Sequence, residues 1–205
     1  GFDVADAQVE TARRMAADLA ALPGMELTFD VGDLSGPLPE ADASVDIVLC
    51  LYSVLSHLPF EDLPQVAAEM ARVTRRHFIT TVRAAGSPPT IFVDSVDKAR
   101  HFQHDHVHDQ CEVELRNGRF FAMKFHLFDA AELQGCFARH FVIEDLRGLD
   151  LFHSRFAPDS RWNPPSLPAD RGFYDHLERL EETYARTFGF MERATHLLLV
   201  GRREG

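Results

Sequence analysis

Residues 45–51, Val-Asp-Ile-Val-Leu-Cys-Leu, are apolar at almost every position. A strand with one wet face alternates, whereas a strand apolar on both faces belongs inside a parallel sheet covered by helices on both sides. The stretch HFITTV at 77–82 has the same character. Between the two, Leu63, Val66, Ala67, Met70 and Val73 recur at helical spacing. Strand, amphipathic helix and strand in succession predict a doubly wound α/β sheet. A further apolar run, THLLLVGRR at 195–203, predicts a last buried strand.

The flanking segments extend this pattern. The chain opens GFDVADAQVETAR, a short apolar start that reaches Asp3 and turns straight into a helix. Asp6 is the expected N-cap, Val9, Ala12, Ala16, Leu19 and Ala20 form the apolar stripe, and Pro23-Gly24 stops it. In MELTFDVGD, Met25, Leu27, Phe29 and Val31 alternate, as expected of a strand near a sheet edge that ends at Gly32-Asp33. Asp129 is placed to cap a helix over DAAELQGCFARHF, a strand is expected to begin at Val142, and Tyr174, Leu177, Leu180 and Tyr184 mark one more helix. A proline-rich loop lies between them, from Arg155 to Gly172.

The regular alternation breaks after Arg83. AAGSPP reads as a loop, and DKARHFQHDHVHDQ as a mobile polar lid. CEVELRNGRFFAMKFHLF then carries two alternating runs around Asn117-Gly118, a hairpin signal. A two-residue turn would set Glu114 against Phe121. A three-residue loop, Arg116-Asn117-Gly118, sets Val113 against Phe121 and Cys111 against Met123 instead, and gives Gly118 the left-handed position. The apolar pairing is the expected one.

Composition limits the function classes. The 205 residues are 45% hydrophobic and 26% charged, enough for a single globular domain with an elaborated lid. No apolar run approaches the roughly 20 residues of a membrane span. The net charge of −11 argues against a nucleic-acid partner, because phosphate binding needs a basic face. Cys50, Cys111 and Cys136 form no CxxC pair and suggest no disulfide framework, which fits a cytoplasmic protein. Nothing in the pattern specifies an oligomer.

Three stretches resemble the class I S-adenosylmethionine-dependent methyltransferases. GFDVADAQVETAR is similar to the family's second strand and helix, where the terminal acid, here Asp3, accepts the ribose hydroxyls. LTFDVGDLSGPLP resembles the third strand, whose acid, here Asp33, meets the adenine amino group, with Leu34 beside the ring. ASVDIVLCLYSVLSHLP resembles the fourth strand and its exit, where Leu51 and Tyr52 flank the methionine part. The final run is similar to the family's antiparallel seventh strand.

The resemblance implies a Rossmann-like methyltransferase sheet with a β-hairpin lid inserted after the fifth strand. Residues 1–83 are then the cofactor-binding part, about 84–128 the lid, and 129–205 the rest of the sheet. It implies S-adenosyl-L-methionine as cofactor and a small-molecule acceptor. It also implies a first strand and glycine-rich loop ahead of Gly1, so an N-terminally truncated piece of a longer chain is expected.

Other residues are weighed by their type. Asp3 and Asp33 sit at carboxyl ends of expected parallel strands, where such sheets bind ligands, though an acid there also caps a turn. His57 reads first as packing on the loop after the fourth strand; if the acceptor must lose a proton, it is the first candidate base. Arg83, Arg155 and Arg161 are ordinary surface arginines by default, and carboxylate clamps as the second reading. His126 reads first as structural and second as facing a substrate. Trp162 is expected to pack the proline-rich loop. His104, His106 and His108 would share one face of an extended chain, but no zinc spacing accompanies them and no metal is expected.

Two rival functions share this pattern: a nicotinamide-dependent oxidoreductase and a non-catalytic domain that kept the fold. The position of Asp33 and the hairpin favour the methyltransferase. No GxSxG supports a hydrolase.

Overall fold

The computed structural model describes residues 1–19, 24–87, 99–153 and 171–204. Arg155, Arg161, Trp162 and the rest of the proline-rich loop as far as residue 170 lie outside the described residues. The chain forms two compact units, Gly1–Pro39 and Glu40–Gly205.

The first unit holds β1 (Phe2–Asp3), α1 (Asp6–Leu19) and β2 (Asp30–Val31). The strands pair in parallel, Phe2 beside Asp30 and Asp3 beside Val31. The Ala5 carbonyl accepts the amides of Gln8 (2.9 Å) and Val9 (3.1 Å). The helix therefore starts one residue earlier than expected. Asp6 stands in the first turn, where its charge complements the helix dipole. The alternation from Met25 gives only two strand residues, because β1 is itself two residues long and offers no more backbone to pair with. Met25 and Leu27 stay exposed.

The second unit is built on a four-stranded sheet in the order β3-β4-β9-β8: Val45–Cys50, Thr74–Arg83, His196–Arg202 and Val142–Leu149. β3 and β4 run parallel, while β9 is antiparallel to both β4 and β8. The expected antiparallel last strand is therefore present. α2 (Leu63–Val73) and α3 (Ala130–Phe137) bury their apolar stripes in this unit. Asp129 caps α3 by accepting the Glu132 amide at 2.7 Å, as expected. Phe78 is fully buried, 4.7 Å from the Phe137 ring and 5.4 Å from Phe141. α4 (Arg171–Tyr184) and the short α5 (Phe188–Met191) precede β9. A Cβ at Gly86 would lie 1.9 Å from the Glu192 carbonyl oxygen, so the chain after β4 passes there only as glycine.

β3 departs from expectation. It stands at the edge of its sheet, with Ile47 51% and Leu49 60% exposed. Ile47 and Leu49, two apart, share one face of the strand, and that face is open to water, while Cys50 on the other is buried.

The second sheet of this unit is antiparallel, in the order β5-β6-β7: Ala99–Asp105, Gln110–Leu115 and Phe120–Lys124. Val113 faces Phe121 and Cys111 faces Met123, the register that apolar pairing predicts, and Gly118 has φ 82°. The Gly118 amide closes the loop on the Leu115 carbonyl at 2.9 Å. The histidine-rich segment forms a strand and a turn. Residues 99–105 form a full strand on β6, and the extended chain stops at Asp105, so His106 and His108 fall in the following turn.

Candidate functional site

The carboxyl ends of β3 and β4 come together through backbone bonds made after the strands finish. Tyr52 and Ser53 both adopt φ 60°, a conformation that L residues rarely take twice running. Thr81 holds them there: its hydroxyl accepts the Tyr52 amide at 2.9 Å and its carbonyl accepts the Ser53 amide at 3.1 Å. The chain then makes a helical turn over Val54–His57. The Ser56 hydroxyl accepts the Arg83 amide at 3.1 Å, fixing the end of β4 against this turn.

A cavity of about 530 Å³ opens on this corner. Tyr52, Ser53, His57, Arg83 and His196 line one side. The other is lined by apolar residues of the three-stranded sheet and its exit, among them Phe102, Val113, Phe121, Met123 and Phe125. The pleat explains this, since residues two apart share a face and the hairpin's apolar set is in phase. The covering sheet is bonded to the corner. The Ser56 carbonyl accepts the His126 amide at 2.6 Å, and His57 packs edge-on against Phe125 at 4.9 Å.

The polar groups around this cavity are perturbed in interpretable ways. Burial lowers the His57 pKa, opposed in part by a bond to the backbone at Lys124, so the ring is neutral near pH 7. His104 is lowered by burial too, and its Nε2 lies 2.8 Å from the Phe125 carbonyl oxygen. One Arg83 guanidinium nitrogen is 3.0 Å from His196 Nε2, and His196 Nδ1 is 3.3 Å from an Asp150 carboxylate oxygen. A guanidinium only donates, so His196 Nε2 accepts and Nδ1–H donates to Asp150. The bond from His196 holds the Asp150 carboxyl below its usual range, and burial lowers the Arg83 pKa.

Other candidates fall elsewhere. His126 lies just beyond β7, and it is not among the residues lining the cavity. Its Nδ1 meets Asp109 at 2.8 Å and its Nε2 meets Glu132 at 2.9 Å, which tie the β5–β6 turn to α3. Among the described residues no group of three His, Cys, Asp or Glu side chains is arranged to hold a metal.

In the first unit, Asp3 and Asp33 stand at the same ends of two paired parallel strands. One oxygen of each closes a local turn: Asp3 accepts the Ala5 amide and Asp33 the Ser35 amide, both at 2.8 Å. A carboxylate has about four lone-pair sites, so each keeps acceptor capacity toward a hydroxyl or amino group. Leu34 follows Asp33 half-buried, and Leu51 lies exposed just past β3.

Ser53, His196 and Asp150 were not legible as site residues. His196 is 113 positions from Arg83 and 46 from Asp150, and no spacing rule joins them.

Comparison with known proteins identifies the fold. Residues 1–77 match the family model of a methyltransferase domain. The chain has the fold of a class I S-adenosylmethionine-dependent methyltransferase. A protein of Pyrococcus horikoshii matches this fold with TM-score 0.60 at 14% identity, over 100% of this chain and 70% of that one. An S-adenosylmethionine-dependent methyltransferase of Mesorhizobium loti matches with TM-score 0.50 at 16% identity, over 99% and 79%. Magnesium protoporphyrin IX methyltransferase of Synechocystis, solved with bound S-adenosylhomocysteine, matches with TM-score 0.52 at 16% identity, over 100% and 63%. No curated protein sequence matches the chain. The order β3-β4-β9-β8, with its antiparallel β9, is how the methyltransferase fold appears in this molecule.

Proposed function

We propose that this methyltransferase acts on a small-molecule acceptor held in the cavity at the carboxyl ends of β3 and β4. The observation that carries the reading is the cavity itself: about 530 Å³, with catalytic-type polar residues on one side and an apolar sheet on the other. That volume suits a small ligand, and an apolar cover excludes water from it.

S-adenosylmethionine supplies an electrophilic methyl group and needs little acid–base help. In the first unit, Asp3 would hold the ribose hydroxyls and Asp33 the adenine amino group, with Leu34 for the ring; in the second, Leu51 and Tyr52 would serve the methionine part. The chain's own contribution is then to orient the acceptor nucleophile and keep water away. His57, neutral through burial, takes a proton where the acceptor must lose one. Arg83 belongs to the acceptor side, whereas His126 serves the architecture. The covering sheet acts as the lid.

The test is calorimetric and then kinetic. Asp3→Ala removes charge-assisted hydrogen bonds, and cofactor affinity is expected to fall about tenfold to hundredfold. Unchanged affinity removes Asp3 from the ribose role. Release of S-adenosylhomocysteine is then followed across small metabolites and an RNA oligomer. Faster turnover of the RNA than of every metabolite overturns the substrate class.

A further inference from the structure

The cavity is lined by a residue whose polar atom has no partner among the described residues. Ser53 is 6% exposed and lines the cavity, and its hydroxyl oxygen is buried without a hydrogen-bond partner among the described residues. A buried hydroxyl left so is costly unless something else bonds it. Its position is not accidental, because Thr81 pins Ser53 in a left-handed conformation. Arg83 lines the same cavity at 7% exposure. The guanidinium is oriented by His196, which is itself held by Asp150. A buried cation and a buried hydroxyl in one apolar-walled cavity match one chemistry, an oxyanion on an apolar body.

We propose that Arg83 and Ser53 form an anion subsite for the acceptor, so the acceptor is an apolar small molecule bearing one carboxylate-type group. This rests on the reading that the cavity holds the acceptor. A carboxylate has two possible sources here, the acceptor or the amino-acid end of the cofactor. The cofactor's carboxylate has an ammonium beside it, which an acidic group holds best. Among the described residues lining the cavity there is no Asp or Glu. The acceptor is the better source.

The experiment compares two probes on the full chain: 8-anilinonaphthalene-1-sulfonate and its uncharged counterpart N-phenyl-1-naphthylamine. Wild type is expected to bind the sulfonate at least about tenfold more tightly, the factor that a charge-assisted bond supplies. Arg83→Gln should weaken the sulfonate by about tenfold or more and leave the neutral probe within about twofold. Arg83→Lys should restore part of the loss. Ser53→Ala should weaken the sulfonate selectively, and it carries the test if Arg83→Gln does not fold. Equal binding of the two probes by wild type overturns the subsite, as does weak binding of both. So does a preference that persists in Ser53→Ala and in folded Arg83→Gln. S-adenosylhomocysteine affinity separates the sources: it should stay within about twofold in Arg83→Gln. A loss there in step with the sulfonate assigns the subsite to the cofactor and overturns the proposal. Wild type that binds the sulfonate selectively but not S-adenosylhomocysteine contradicts the methyl-transfer reading and leaves the subsite standing.

Discussion

The two sheets of the larger unit use the same kind of residue for different ends. In the four-stranded sheet, Phe78, Val82, Leu197 and Leu199 are fully enclosed, and helices supply the other half of the packing. In the three-stranded sheet, Phe121 and Met123 line a cavity yet remain partly open to water. Enclosed apolar surface stabilises the fold, whereas apolar surface facing a cavity is held for a ligand. The difference separates what keeps this chain folded from what, on the proposed reading, meets the acceptor.

The sharpest way to break that comparison is to delete one aromatic ring from each sheet. Phe78→Ala should cost about 3–5 kcal/mol, as expected for a large ring removed from a closed core. Phe121→Ala should cost far less, because the site is already half-open. Its expected effect is instead weaker binding of an apolar probe in the cavity. Denaturant titration of both variants checks this. Equal losses of stability would show that the covering sheet belongs to the core.

The glycines give a second contrast of smaller size. Gly86→Ala forces a new methyl group against the Glu192 backbone, and about 1–3 kcal/mol is expected for such overpacking. At Gly118 an added Cβ meets open space, but φ is 82°. Only backbone strain remains there, about 1 kcal/mol. Thermal unfolding should rank them in that order, and a reversed order would mean that the hairpin turn, not the β4 exit, limits stability.

Acid should act on the two sheets at different pH. His57 and His104 adjoin the covering sheet, and both have folded pKa values below the ordinary 6.5. As pH falls through 6.5 the unfolded chain takes up protons first, so stability declines until the folded values are passed; above 6.5 they contribute nothing. Asp150 behaves oppositely. Its folded pKa lies below the ordinary 3.8, so its contribution is present above that value and is lost as pH falls through the folded one. A His57→Asn/His104→Gln variant should flatten the stability curve between pH 7 and 5 and leave the region below 3.8 unchanged. A wild-type slope in that variant would place the acid sensitivity elsewhere.

Legibility followed the same division. β3, β4 and β9 were readable because continuous apolar runs have few alternatives, and the hairpin register followed from side-chain phase. β5 was missed because Phe102 is the one strongly apolar residue between His101 and Asp105, so no alternation stood out. The Tyr52-Ser53 turn carries no Gly or Asn to announce positive φ. The Arg83–His196–Asp150 chain joins the ends of β4, β9 and β8, and only the sheet order brings them together.

The smallest expected effect on stability concerns the exposed edge of the four-stranded sheet. Asp46 on β3 pairs with Arg75 on β4, Nε to carboxylate at 2.8 Å, with both side chains about half exposed (52% and 57%). An exposed pair of this kind contributes about 0–1 kcal/mol. Its larger role follows from its position, because an edge strand invites another chain to pair unless a charge discourages it. Beside Asp46, Ile47 and Leu49 present apolar side chains to water. Asp46→Val should therefore change unfolding free energy by less than about 1 kcal/mol. It should also raise concentration-dependent association, read by light scattering at equal protein concentration. Phe121→Ala, on the covering sheet, should leave association unchanged. A monodisperse Asp46→Val protein would show that the β3 edge is guarded by something other than this charge.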